Sequence, residues 1–242
     1  MTTSPYGLQP VRTRSAHELV LQQIETAINL GRFRPGDRLP TERDLADMLH
    51  VSRTTVREAI AVLENRGVIE VRRGRNGGAI VLDVVRTKAD LRKLLRANRD
   101  QLRDTFDFRV AVESAAARLA AERRTAADID TLRRLVDMLS LVVESPAEVS
   151  GSARFAQFQN LDSQFHLAIA HAAGSQRLAT AILESRSAMF LPVGAVFTDL
   201  EPTANDLHEA VVEAIVAADG DEAARVMAEH INVTRSTVEG WL

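Results

Sequence analysis

The chain has 242 residues, of which 45% are hydrophobic and 26% are charged, the composition of an ordinary globular protein. A collagen, a low-complexity chain and a fully disordered chain are therefore excluded. Cysteine is absent, which also excludes disulfides, thiolate nucleophiles, cysteine-type zinc sites and iron–sulfur clusters. The length fits one large domain or two smaller ones.

No segment of the sequence has the pattern of a membrane anchor or a leader. The longest uncharged run near the middle, residues 187–198, is interrupted by Pro192 and Gly194, whereas a spanning helix needs about 20 apolar residues. Residues 1–15 lack the apolar core of a signal peptide. We therefore expect a cytoplasmic protein with no membrane partner, and a frayed polar tail over residues 1–10.

Charge is distributed unevenly along the chain. Residues 1–82 hold twelve arginines and nine acidic residues, whereas the remainder has a net charge of −6. A weakly basic N-terminal third is compatible with an anionic partner. Whether it binds one has to be judged from the positions of the arginines.

The N-terminal third has the element order of a winged helix-turn-helix. Thr41 and Ser52 are typical N-caps, and Gly67 is a typical helix end. A glycine-rich turn separates two short β-like runs, which predicts a hairpin. The predicted elements are helices over 16–30, 42–49 and 53–66 and strands over 68–73 and 79–82.

The third predicted helix leaves Arg53, Thr54 and Arg57 exposed, because its apolar residues occupy the other face. A recognition helix presents such positions to base edges in the major groove, where arginine pairs with guanine. Thr55, at the helix N-terminus, suits a backbone phosphate. Alternatively, these arginines only solvate a helical domain.

The rest of the chain predicts an all-helical bundle. We therefore predict a mostly-α protein, with an N-terminal winged helix-turn-helix in residues 1–82 and a C-terminal all-α helical bundle in residues 83–242. The predicted helices of the bundle are 88–97, 100–123, 126–144, 153–173, 175–190, 204–218 and 221–238.

Four polar residues interrupt helix faces that otherwise have a core pattern. Asp162 and His166 are four residues apart and share one face, and His208 and His230 lie on two further apolar faces. A buried imidazole or carboxylate needs a partner. Two interpretations stay open: a hydrogen-bonded core network, or a site for a divalent transition metal.

The N-terminal motifs resemble the DNA-binding domain of GntR-type bacterial transcription regulators. The resemblance lies in residues 36–46 (GDRLPTERDLA) and 51–59 (VSRTTVREA), followed by Leu63, Glu64 and Gly67. The wing matches the sequence pattern of this family less closely than the helices do. The resemblance implies the following DNA contacts: Arg43, Arg53, Thr54, Thr55, Arg57, Arg73 and Gly74.

The C-terminal motifs resemble the FCD effector domain of the FadR-like subfamily. Residues 162–166, His208 and residues 223–231 carry this resemblance. It implies that a divalent metal ion (Zn, Ni or Mn) is bound by Asp162, His166, His208 and His230. It further implies that Arg109, four residues before Glu113, helps to hold an effector carboxylate. The alternative for Arg109 is an ion pair with Glu113 on a solvated face.

These resemblances predict a ligand-responsive transcription regulator rather than an enzyme. It would bind palindromic double-stranded operator DNA as a homodimer and sense a small carboxylate effector. A metal-dependent hydrolase fused to a DNA-binding domain is the alternative, since a bound metal can activate water. Against that alternative, no extra general base stands out near the four residues.

Overall fold

A computed structural model describes residues 15–74, 77–82, 88–144, 151–188 and 205–242, so the predicted tail over 1–10 lies outside the described residues. The mostly-α class is confirmed. Chain contacts define two compact units, one from residues 1–25 and 37–82 and one from residues 26–36 and 83–242. The elements are α1 (Ala16–Asn29), α2 (Glu42–Leu49), α3 (Arg53–Asn65), β1 (Ile69–Arg72), β2 (Gly78–Val81), α4 (Lys88–Ala97), α5 (Arg99–Arg123), α6 (Ala126–Val143), α7 (Gly151–Ala172), α8 (Gln176–Ala188), α9 (Asp206–Val216) and α10 (Gly220–Glu239).

The two helices of the N-terminal pair are delimited by local hydrogen bonds. The Thr41 side chain accepts from the amide of Asp44 at 3.2 Å, and that of Ser52 accepts from the amide of Thr55 at 3.1 Å. Both bonds satisfy amides that a helix start leaves without a partner. His50 ends α2 with a φ of 53°, which makes the tight turn into α3. The exposed N-terminus of α3 is thereby fixed.

The hairpin that forms the wing has one feature that the sequence pattern did not predict. β1 and β2 pair antiparallel, with Ile69 opposite Val81. The segment just before α2 pairs with β2 as a short third strand-like segment. The amide of Leu39 donates to the carbonyl of Ala79, and the amide of Val81 donates to the carbonyl of Asp37. This segment pairs with β2 through a single bridge, between Arg38 and Ile80. A single bridge is too short to produce an alternating apolar pattern, so the sequence does not predict it.

The C-terminal unit is built around α5. This helix packs against α7, α8, α9 and α10, and α6 packs against α7 and α9. Its C-terminal third carries four fully buried alanines, whose small side chains let neighbouring helices approach closely: Ala116, Ala117, Ala120 and Ala121. Among the described residues, no helix is long and apolar enough to cross a membrane.

Core packing of α6 gives a stability prediction. Leu139 is fully buried, whereas Leu141, two residues along the same helix, is 66% exposed. Leu139→Ala should lower the free energy of unfolding by about 2–5 kcal/mol, because it removes buried methyl groups and leaves a cavity. Leu141→Ala should change it by less than about 0.5 kcal/mol. Equal denaturation midpoints for the two variants would contradict this packing.

Candidate metal centre and nucleic-acid interface

Three helices of the C-terminal unit bring four potential ligands together. Asp162 and His166 lie on α7, His208 lies on α9 and His230 lies on α10. One ligand atom from each residue can be chosen so that all four lie within 4.8 Å of one another. The four residues that the sequence placed on three helix faces therefore form one cluster.

The atoms that face each other are the Nε2 atoms of the three histidines and Oδ1 of Asp162. That oxygen lies 3.0 Å from His208 Nε2, 3.4 Å from His166 Nε2 and 3.9 Å from His230 Nε2. The Nε2 atoms of His166 and His230 are 3.2 Å apart. A tetrahedral ion with bonds of about 2.1 Å holds its donors about 3.4 Å from one another. The cluster therefore has the dimensions of a site that could hold such an ion.

Burial and ring packing fix the imidazoles in place. His166 and His208 are each only 1% exposed. Phe165 meets both rings edge-on, with centroid distances of 5.6 Å to His166 and 4.8 Å to His208. Rings held this way cannot turn their nitrogens towards water, so each nitrogen needs a partner inside the protein.

The second nitrogen of His166 faces a carboxylate that the sequence did not assign to the site. His166 Nδ1 lies against Oε2 of Glu113, and Oε1 of Glu113 accepts a hydrogen bond from Arg109 Nε at 2.6 Å. The side chains of Arg109 and Glu113 are 4% and 1% exposed. The alternative that these two residues pair on a solvated face was therefore wrong, because α5 is buried on several sides.

The second nitrogen of His208 is held by an amide. Asn205 Nδ2 donates to the carbonyl of Val136 at 3.0 Å and to Oγ of Ser140 at 2.7 Å. These two acceptors fix the orientation of the amide, so Asn205 Oδ1 is the atom that faces His208 Nδ1, at 2.9 Å. An oxygen in that place can only accept, which assigns the proton of neutral His208 to Nδ1.

These contacts leave acceptors facing acceptors at the centre of the cluster. Because the proton of neutral His208 is on Nδ1, its Nε2 offers a lone pair to Oδ1 of Asp162, which also can only accept. Such an arrangement is repulsive unless a cation lies between the atoms, and neutral imidazole nitrogens oriented by outer hydrogen bonds are common metal ligands.

Charges around the site hold its carboxyl groups ionised. Burial by itself raises the pKa of Asp162, but Arg186 and His166 outweigh it and hold that pKa well below its usual range. Burial also acts to raise the pKa of Glu113, and there Arg109 and His166 prevail, so this pKa is lowered too. Both groups are therefore carboxylates at neutral pH.

Two of the imidazoles, those of His208 and His230, are shifted towards the neutral form. Burial lowers the pKa of His208, although its contact with Asp162 opposes the shift. Burial lowers the pKa of His230 as well, and the neighbouring charges of His208 and His166 act in the same direction. Neutral imidazole is the form that binds a metal ion.

Three site neighbours were missed from the sequence: Glu113, Asn205 and Arg186. Glu113 was seen only as a partner of Arg109, although a helix places it one turn further along the same face. Asn205 lies at the N-cap of α9, three residues before His208, where an asparagine is ordinarily explained by capping. Arg186, on α8, contacts Asp162 through tertiary packing alone, so no local signal identified it.

The residues proposed for DNA contact lie on the surface of the N-terminal unit. Arg53, Thr54 and Arg57 are exposed on the first turns of α3. Arg57 also pairs with Glu42 of α2, with Nη2 and Oε2 3.0 Å apart. Thr55 is half-buried, and its amide is already bonded to Ser52. The ion pair with Glu42 therefore links the Arg57 side chain of α3 to α2.

The other proposed DNA contacts flank α3. Arg43 on α2 has a side chain that is 74% exposed. Arg73 is exposed at the end of β1, and Gly74 follows with a φ of 107°, a backbone conformation that favours glycine. Arg75 and Asn76 of the wing lie outside the described residues.

The pKa shifts of the histidines predict how the metal-free protein responds to pH. Because His208 and His230 have lowered pKa values, the unfolded chain takes up protons below about pH 6.5 that the folded chain excludes. Stability should therefore decrease from pH 7.5 to pH 5.5. The contribution of Asp162 and Glu113 is lost only at more acidic pH, since their pKa values are lowered.

The measurement is calorimetric unfolding in a chelator-containing buffer across that window. The melting temperature should decrease with falling pH, and less steeply for His208→Gln, which removes one of the two groups. A parent melting temperature that is constant or rises towards pH 5.5 would contradict the burial of these imidazoles in neutral form.

Comparison with known proteins gives the family of the chain. Residues 17–77 match the family described as bacterial regulatory proteins of the gntR family, and residues 104–233 match the FCD domain. RmpR of Mycobacterium gastri, an HTH-type transcriptional regulator by name, is 34% identical over 95% of this chain and 84% of its own length. The Glc operon transcriptional activator of Escherichia coli is 33% identical over 76% of this chain and 70% of its own length.

A solved structure supports the fold. Escherichia coli McbR/YncC superposes with a TM-score of 0.55 at 23% identity, over 94% of this chain and 99% of that chain. Proteins with these two domains are transcription regulators, so the chain is not an enzyme and the hydrolase alternative is not supported. The chain belongs to the GntR family of bacterial transcription regulators, with an FCD domain after its DNA-binding domain.

Proposed function

We propose that this regulator holds a divalent transition metal at Asp162, His166, His208 and His230 and senses a small carboxylate there. The observation that carries the proposal is the convergence of lone pairs: Asp162 Oδ1 lies 3.0 Å from a histidine nitrogen whose proton is held on the other side of its ring. A metal ion between these atoms turns repulsion into coordination.

Three imidazoles and one carboxylate suit zinc, nickel or manganese, and the donor set by itself does not choose among them. When bound, the ion acts as a Lewis acid that attracts anionic ligands to any coordination position left open. The residues of the chain orient the site: Glu113 holds His166, and Asn205 holds His208. Outer hydrogen bonds of this kind ordinarily contribute 10- to 100-fold to metal affinity.

A small organic acid is the effector class that fits this site. Arg109 is buried, and the Glu113 carboxylate that accepts from its Nε also faces His166, so the charge of Arg109 lies close to the metal cluster. We propose that Arg109 contributes to effector binding by this charge while its Nε holds Glu113. A carboxylate entering the site would then be attracted both by the metal and by the guanidinium.

The DNA contacts follow from the exposed residues of the N-terminal unit. We propose that α3 enters the major groove with Arg53, Thr54 and Arg57, that Thr55 contacts a phosphate, and that Arg43, Arg73 and Gly74 flank the duplex. The proposed domain boundary lies between residues 82 and 83. A homodimer would then read a palindromic operator, because two-fold protein symmetry requires half-sites that mirror each other.

Effector binding would change DNA affinity by favouring one arrangement of the dimer. The size of the response is set by how differently the two arrangements bind the acid, and it must be reciprocal: operator DNA changes the affinity for the acid by the same factor. Titrating the acid with and without operator DNA tests this linkage.

The metal site predicts a difference between two histidine variants. His208→Ala should lose most of the metal, because it removes the Nε2 donor that faces Asp162. His171→Ala should retain about one ion per chain, since His171 lies on an exposed position of α7 outside the cluster. The measurement is elemental analysis of tag-free protein after reloading with zinc, nickel and manganese in turn. Metal-free parent protein under all three conditions would refute the metal site.

The DNA interface predicts a difference along α3. Arg53→Ala and Arg57→Ala should each weaken binding to the specific operator by about 1–3 kcal/mol at a fixed salt concentration, because base contacts are lost. Arg66→Ala is the control, since Arg66 lies at the other end of the helix in an ion pair with Glu25. Parent-like operator affinity for both N-terminal variants would remove α3 from the major groove.

A further inference from the structure

Arg186 is a buried cation that only partly uses its hydrogen-bonding capacity. Its side chain is 7% exposed, on the last turn of α8. One guanidinium nitrogen, Nη2, contacts Oδ2 of Asp162 and donates to Oγ of Ser163 at 3.2 Å. The other two nitrogens, Nε and Nη1, are buried without a hydrogen-bond acceptor among the residues that the structure describes.

These two buried N–H donors each need a hydrogen-bond acceptor, and an anion is the acceptor that best matches a cationic guanidinium. Arginine stays protonated in proteins, and each buried N–H without an acceptor is destabilising, so a native arginine in this state ordinarily meets a ligand or an ordered water. Arg186 is in direct contact with Asp162, one of the four potential metal ligands. A group bound to Arg186 would therefore lie beside the metal ligands.

The charge balance of the site indicates the sign of that group. Two carboxylates, Asp162 and Glu113, offset the two guanidiniums that contact them, Arg186 and Arg109. A divalent ion bound at the cluster would leave its full positive charge uncompensated in a buried site. A bound anion removes that excess, whereas a neutral molecule does not.

We propose that Arg186 binds the carboxylate of the effector through one of its two unpaired nitrogens, Nε or Nη1, beside Oδ2 of Asp162 and away from the Oδ1 atom that faces the histidines. The inference rests on the proposed function, in which the metal site senses a small acid. It names a second cationic residue for the acid, since Nε of Arg109 is already taken by Glu113. The acid carboxylate would lie close to the metal ligands, because Asp162 contacts both Arg186 and His208.

The test uses calorimetric titration of zinc-loaded full-length protein at pH 7.5. The probes are acetate, L-lactate and succinate, with lactamide as the neutral counterpart of lactate. Arg186→Lys keeps the charge beside Asp162 but not the planar fork, and Arg186→Gln removes the charge. Arg177→Gln is the matched control, because Arg177 is exposed on the same helix. Zinc content is measured for every variant.

We expect at least one acid to bind the parent and the Arg177→Gln variant equally. Both Arg186 variants should then bind that acid about 10- to 100-fold more weakly, the loss typical of hydrogen bonds to a charged group. Lactamide binding should not change between parent and variants. Arg186→Lys should retain zinc, which separates anion binding from support of Asp162.

Other results overturn the inference in distinguishable ways. Parent-like acid affinity in both Arg186 variants, with a loss only in Arg109→Gln, refutes the role of Arg186 and leaves the proposed function standing. Loss of zinc from both Arg186 variants makes Arg186 a positioning residue for Asp162 and refutes the ligand contact. Failure of all three acids to bind the zinc-loaded parent refutes carboxylate sensing itself.

Discussion

The C-terminal unit is organised around one unfavourable contact, in which Oδ1 of Asp162 lies 3.0 Å from the Nε2 lone pair of His208. The fold keeps this contact in place, because Asn205 accepts a hydrogen bond from His208 Nδ1 and itself donates to Val136 and Ser140. Burial removes the water that could otherwise separate the two acceptors. A positive ion at this point is the simplest way to stabilise the folded arrangement.

The surrounding helices can be understood from this requirement. α7, α9 and α10 supply the inner atoms, while α5 passes behind them and supplies Glu113 and Arg109. An ion at the cluster would connect α7 to the consecutive helices α9 and α10, so metal binding and the packing of the bundle should be coupled. Such coupling gives an effector bound at the metal a direct effect on helix positions.

The sequence predicted the elements more completely than the environment of the site. Helical periodicity placed Asp162 and His166 on one face, and the apolar neighbours of His208 and His230 indicated burial. The caps at Thr41 and Ser52 were readable because capping is a local interaction. The contacts of the site are not local. No pattern within α8 indicates that Arg186 meets Asp162, and no pattern within α5 indicates which residues shield its charges.

The measurement that tests the central claim most directly is nuclear magnetic resonance of the ring nitrogens in histidine-labelled protein, with and without zinc. We expect His208 to carry its proton on Nδ1 in both states, and we expect zinc to shift the Nε2 signals of His166, His208 and His230. A proton on Nε2 of His208 in the metal-free protein, with ring signals that zinc leaves unchanged, would contradict a metal site at this cluster.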